Sequence, residues 1–172
     1  ANNEGVFDGS VVIVQPISRG MVSELNEQDG LYTLILRGLR EGQPVVEEEI
    51  IRSVSRGINS YNQWEEVLAC AKDPKIEIMI SNTTEAGITY RSQDKLEDNP
   101  PESFPGKVCA YLYQRYQAFN GDKDRGMVII PCELIDKNGD KLKEIVIRLA
   151  RDWDLEEEFV QWIKEDNDFL NT

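Results

Sequence analysis

The stretch IEIMISNTTEAGI, residues 76–88, decides the fold. Ile76, Ile78, Met79 and Ile80 form a short apolar run, the composition of a strand covered on both faces in a parallel α/β sheet. The run stops abruptly in a polar loop. Ligands of such sheets gather just past the carboxyl ends of the strands. Here that position offers an amide, two hydroxyls and a carboxylate from Asn82, Thr83, Thr84 and Glu85. Gly87 follows, and it permits close backbone approach or positive φ. A local reading competes, in which the threonines and Glu85 cap a turn.

A second segment repeats the pattern: GMVII (126–130) runs into the loop PCELIDKNGD (131–140) ahead of a helix, so two strand ends point the same way. Upstream, residues 10–14 read as a strand ended by Gln15-Pro16, because proline has no amide for a ladder. Residues 18–29 hold a short amphipathic turn or helix around Met21, Val22 and Leu25. Residues 31–37 read as a half-covered strand, 38–44 as a loop, and 45–55 as a strand antiparallel to the first. Helical spacing of apolar residues predicts helices over 62–71, 104–119, 141–153 and 155–170, with Pro74 closing the first and acids opening the last. Asn99-Pro100-Pro101 marks a loop inside one α/β unit, and Asn138-Gly139-Asp140 a turn and helix cap.

Composition narrows the function classes. The 172 residues suffice for one domain with a sizeable core. Nineteen Lys plus Arg against 32 Asp plus Glu give a net charge of −13, which disfavours binding to nucleic acid through a basic surface. Three widely spaced cysteines, Cys70, Cys109 and Cys132, suit reduced thiols in a cytoplasmic protein better than a disulfide framework. There is no metal box, no signal-peptide pattern and no apolar run of membrane-spanning length.

Three motifs, LNEQDGLYTLILRG (25–38), ISNTTEAGITY (80–90) and IIPCELIDKNGDKLKEIV (129–146), resemble the altronate oxidoreductase, or tagaturonate reductase, branch of the long-chain mannitol dehydrogenase family. The likeness runs over nearly the whole chain in the family's order. It implies an α/β, Rossmann-like nucleotide-binding domain with a mostly parallel sheet and an antiparallel addition, NAD as cofactor and a small sugar acid, tagaturonate or altronate, as substrate. The family's first strand and glycine-rich pyrophosphate turn would precede Gly5, and no G-x-G occurs in the sequence. Its catalytic lysine and histidine lie in a helical domain expected after Thr172, and the sequence contains no histidine. Residues 1–172 thus read as a partial dinucleotide-binding domain, with no catalytic residue of its own and no turnover expected in isolation.

The resemblance places site residues at strand ends. Where a dinucleotide fold carries an acid after its second strand, this chain has Gln15, which implies an adenosine contact through an amide and leaves NAD against NADP open from the residues alone. Asp29, in the family's QDGLYTL pattern, is assigned beside the cofactor, although Asp-Gly is also an ordinary turn signature. Asn82, Thr83, Thr84 and Glu85 are the main cofactor candidates, orienting the nicotinamide. Glu133 falls on the substrate side, where its competitor is a solvated loop acid. Cys132 has no histidine to activate it and reads as a packing residue.

Two function classes remain on these residues. One is NAD-linked interconversion of D-altronate and D-tagaturonate, with mannitol or fructuronate oxidoreduction as a neighbour. The other is a noncatalytic nucleotide- or partner-binding module. A missing central strand would leave the strands ending at Val14 and Ile80 with open edges. Their expected repair is direct pairing with each other, pairing with a second copy, or a preceding segment of the natural protein.

Overall fold

A computed structural model describes residues 5, 8–84 and 86–172, and divides the chain into two compact units, Ala1–Gln63 and Trp64–Thr172. Glu85 therefore lies outside the described residues.

The first unit contains β1 (Val11–Gln15), α1 (Val22–Glu27), β2 (Tyr32–Arg40), β3 (Gln43–Ile51) and β4 (Val54–Asn59). β1 and β4 pair in parallel, with Val14 opposite Ile58 and Gln15 opposite Asn59. Helix α1 is fastened to β4 by one side chain: the Asn26 amide donates to Gly57 O at 2.9 Å and accepts from Gly57 N at 2.7 Å. It thereby satisfies both polar groups of a strand residue, as a neighbouring strand would.

Strands β2 and β3 form an antiparallel hairpin in which Arg40 faces Gln43 across a two-residue turn. Both turn residues, Glu41 and Gly42, have positive φ, 53° and 79°, the backbone that matches strand twist in a tight hairpin. Residues 38–40 and Pro44 are consequently in strands and not in the predicted loop; proline is tolerated here because, among the described residues, β3 pairs with β2 alone. β2 is exposed along its whole length, against the half-covered strand expected. The predicted strand over 45–55 is two strands: β3 stops at Ile51, and Val54 starts β4, which changes partner to β1. That second pairing is long-range and parallel, and local alternation carries no sign of it.

The second unit contains α2 (Trp64–Ala71), β5 (Ile78–Ser81), α3 (Phe104–Ala118), β6 (Val128–Pro131), α4 (Asn138–Asp152), α5 (Glu157–Glu165) and β7 (Asp168–Phe169). Its sheet is parallel throughout, in the order β5-β6-β7. Helices α3 and α4 pack together with Val108, Cys109 and Leu112 buried on one and Leu142, Val146 and Leu149 on the other. Phe159 of α5 is fully buried, and its ring meets Tyr113 edge-on at 5.1 Å. Helix α3 begins where Ser103 Oγ accepts from Gly106 N at 3.0 Å, a cap worth about 1 kcal/mol. The buried Asp94 carboxylate accepts from the Glu102 and Ser103 amides at 3.1 and 3.0 Å.

Arg115, also on α3, is 1% exposed. Its guanidinium donates to the carbonyls of Arg125, Ala71 and Asp73 at 2.6, 3.2 and 3.2 Å. Burial pulls its pKa below the usual arginine value.

Three expectations change in this unit. One face of β5 is open, with Ile80 68% exposed, so the strand is not covered on both sides. Among the described residues of this unit β5 is bonded to β6 alone, so the edge of the strand ending at Ile80 has not gained the second partner expected for it. The helix expected over 155–170 is confined to Glu157–Glu165. Beyond it the buried Asn167 accepts from Met127 N at 3.0 Å and donates to Trp162 O at 2.9 Å, turning the chain so that Asp168 and Phe169 join β6. Among the described residues no helix is long and apolar enough to cross a membrane, and no cluster of ligand side chains could hold a metal ion.

Candidate functional site

The two strand-end loops of the second unit meet through Glu133. Its side chain is 3% exposed. Oε1 accepts from Thr83 N and Thr83 Oγ1, both at 2.9 Å, and Oε2 accepts from Ser81 Oγ at 3.1 Å. The backbones join as well, Cys132 N donating to Ser81 O at 2.7 Å. Glu133 is thus no solvated acid but a brace that fixes the loop after β5 from the loop after β6.

Past the brace the backbone turns tightly, Gly87 N donating to Thr84 O at 2.7 Å. A Cβ on Gly87 would lie 2.0 Å from Thr83 Oγ1, so a side chain here would dislodge the hydroxyl that Glu133 holds. Asn82 and Thr84 stay at the loop surface.

Asn138 completes the β6 end. Expected as part of a turn and helix cap, it is fully buried. Its amide nitrogen donates to Pro131 O at 2.8 Å and Glu133 O at 3.1 Å, and its oxygen accepts from Thr172 N at 3.2 Å. Helix α4 starts at this residue, one position after Lys137 in left-handed conformation. Reasoning from the sequence missed Asn138 and Ser81 as builders of the site. The only cue was a serine at a strand end and an asparagine at a helix start, residue types equally common in plain turns.

Cys132 is half-buried, its thiol directed at Ile130 O at 3.8 Å, in keeping with a packing role. Cys109 is buried and its thiol pKa is pushed up by burial.

In the first unit, the carboxyl ends of β1 and β4 border a cavity of about 420 Å³. Gln15 forms its floor and is folded inward: Nε2 donates to Ile17 O at 2.9 Å, and Oε1 faces Val22 N at 3.4 Å. The side chain therefore shapes the loop carrying Ser18 and Arg19, both of which line the cavity opposite Asn59 and Asn62. Asp29 is outside this lining. It sits with Gly30 in a left-handed turn, φ 54° and 74°, whose amides close onto Asn26 O and Leu25 O at the end of α1. Asp29 and Gln15 thus belong to the first unit, while Asn82, Thr83, Thr84 and Glu133 form one cluster in the second.

The sequence profile of the mannitol dehydrogenase Rossmann domain matches residues 5–172. Altronate oxidoreductase of Bacillus subtilis (strain 168) is 51% identical over 171 residues, 99% of this chain and 36% of that protein. Altronate oxidoreductase of Pectobacterium atrosepticum is 49% identical over 99% of this chain and 35% of its own length. The chain therefore spans about a third of the curated relatives it matches. Among solved structures, the ternary complex of Pseudomonas fluorescens mannitol 2-dehydrogenase with NAD and D-mannitol superposes with a TM-score of 0.77 at 23% identity, over 94% of this chain and 34% of that one. A substrate-free D-sorbitol dehydrogenase superposes with a TM-score of 0.72 at 24% identity, over 93% of this chain and 35% of that one. These superpositions establish the fold, parallel α/β with an antiparallel addition. By the profile match, the chain belongs to the mannitol dehydrogenase family through its Rossmann domain.

Proposed function

We propose that this chain is the dinucleotide-binding part of an NAD-dependent oxidoreductase that interconverts D-altronate and D-tagaturonate. The observation carrying this reading is 51% identity over 99% of the chain to an altronate oxidoreductase. The fold is compatible with the cofactor: a polar cavity lies at the carboxyl ends of a parallel strand pair, where dinucleotides bind in open α/β sheets.

NAD, when bound, supplies the hydride acceptor. The chain's residues bind and orient. The Gln15 loop receives the adenosine half, with Asp29 holding the turn behind it. Asn82, Thr83 and Thr84, together with Glu85, orient the nicotinamide half. Glu133, on the substrate side, is a positioning residue that acts through Ser81 and Thr83, since both of its oxygens are engaged by them. Proton transfer to the sugar acid is assigned to residues outside these 172.

The test is loss of NADH absorbance on adding tagaturonate to the full-length protein containing this chain, with fructuronate and fructose alongside. Tagaturonate turns over fastest on this reading. Preference for fructose or fructuronate would reassign the substrate within the family. Inactivity toward all three would favour a binding module. The 172-residue chain alone is expected to show no turnover.

A further inference from the structure

The hairpin of β2 and β3 stands without cover. β2 is exposed along its whole length, Leu36 at 51% and Leu39 at 76%, and among the described residues it pairs with β3 alone. A two-stranded hairpin is marginal in water by itself, and further strands or a packed face are what make one stable. Its two free edges are unlike. β3 carries Pro44 and the run Glu47-Glu48-Glu49, and proline and charge are what blunt an edge against further pairing. β2 carries no proline, no acid and no bulge over nine residues, and its Arg40 is drawn to Glu47 of the same hairpin at 2.8 Å.

The turn fixes which backbone groups the open edge offers. Arg40 and Gln43 flank a two-residue turn, so that pair exchanges both of its hydrogen bonds. The alternation of an antiparallel ladder then leaves the amides and carbonyls of Thr33, Ile35, Arg37 and Leu39 pointing away from β3. By the same alternation Pro44, opposite Leu39, removes an outward donor from the β3 edge. The β2 sequence fits a reversed copy of itself. With Leu36 on a two-fold axis all nine residues find partners: Thr33 meets Leu39 and Ile35 meets Arg37, so every outward group is bonded, while Arg40 falls opposite Tyr32, a cation beside an aromatic ring. Neither arginine meets an arginine. Pairing through β3 would instead bring the glutamates of two copies together in a chain of net charge −13.

We infer that β2 is an interface for a second copy of this chain, the two strands pairing antiparallel about a two-fold axis at Leu36 into a four-stranded sheet β3-β2-β2-β3. Such an interface is isologous, and it closes at two copies because the outer β3 edges are blunted. The inference stands apart from the oxidoreductase reading, since none of its residues belongs to the Glu133 cluster or lines the cavity beside Gln15.

Sedimentation velocity of the full-length protein containing this chain should show a dimer at micromolar concentration. Leu36→Glu, at an exposed position, sets two carboxylates against each other on the axis and should raise the dimer dissociation constant by about tenfold or more, with the circular dichroism of the natural protein retained. Leu36→Cys reads the register. Opposed residues lying between bonded pairs have Cα atoms about 4.5 Å apart, inside the roughly 4.4–6.8 Å that a disulfide spans, so mild oxidation should join two chains. Leu39→Cys, opposite Thr33, should join them at least about tenfold more slowly. A monomer at every concentration, a dimer unaffected by Leu36→Glu, or equal cross-linking at the two positions overturns the inference. A monomer in which the Ile35 and Arg37 amides resist hydrogen exchange overturns it as well, and assigns the strand to the remainder of the parent protein.

Discussion

Replacing Glu133 by alanine is the sharpest probe of the strand-end cluster. The carboxylate accepts three hydrogen bonds, from Ser81 Oγ, Thr83 N and Thr83 Oγ1, and is 3% exposed. Bonds to a charged acceptor contribute about 1.5–3 kcal/mol each, a gross loss of about 4–9 kcal/mol. Truncation admits water, and both hydroxyls can rotate toward it; the Thr83 amide, fixed in the backbone, cannot. The expected net destabilisation is therefore about 3 kcal/mol. Glu133→Gln keeps the shape but turns an NH2 group toward a donor, and should lose about half as much. Urea unfolding of the 172-residue chain reads the change in stability, and amide exchange at Thr83 reports whether the loss is local. A Ser81→Ala, Glu133→Ala double-mutant cycle should show coupling above about 0.5 kcal/mol. A Glu133→Ala midpoint equivalent to less than about 0.5 kcal/mol, with Thr83 exchange unchanged, would refute the brace.

Two further outcomes follow from burial. A thiol reagent should label Cys132 first in the folded protein, since Cys70 and Cys109 are buried and burial raises the Cys109 thiol pKa; mass spectrometry of partly labelled protein checks the order. Burial also lowers the Lys107 pKa below its usual 10.5, so the unfolded state binds that proton more tightly than the folded one. The cost of charged Lys107 is then full below the folded pKa and relieved as pH rises toward 10.5, so the stability of the natural chain should rise relative to that of Lys107→Met over that window in urea titrations.

The strands that end at the site were legible because their signal is local: an apolar run, then a polar loop. Residues 76–80 and 126–130 lie within a few positions of β5 and β6. The hairpin turn escaped because Glu-Gly is a weaker signature of paired left-handed residues than Asn-Gly, and Pro44 read as a breaker. β4 escaped because Arg56 and Gly57 blur its alternation and its partner β1 lies some 40 residues away, as the Val14 to Ile58 pairing shows. For the same reason a glutamate that reads as a loop acid turned out to be buried: its donors, at positions 81 and 83, are 52 and 50 residues upstream. Sequence spacing encodes residues sharing an element, not residues brought together by the crossover from β5 to β6. The family motifs supplied the location of those loops without their geometry.

Arg115 binds the carbonyl at the end of α2, one in the turn beyond it and one just before β6. Ala71 and Asp73 lie 44 and 42 positions before Arg115 and Arg125 lies 10 after it, yet a single guanidinium binds all three carbonyls. The end of α2 and the approach to β6 consequently cannot fray one at a time, and this corner of the unit should open as one cooperative step.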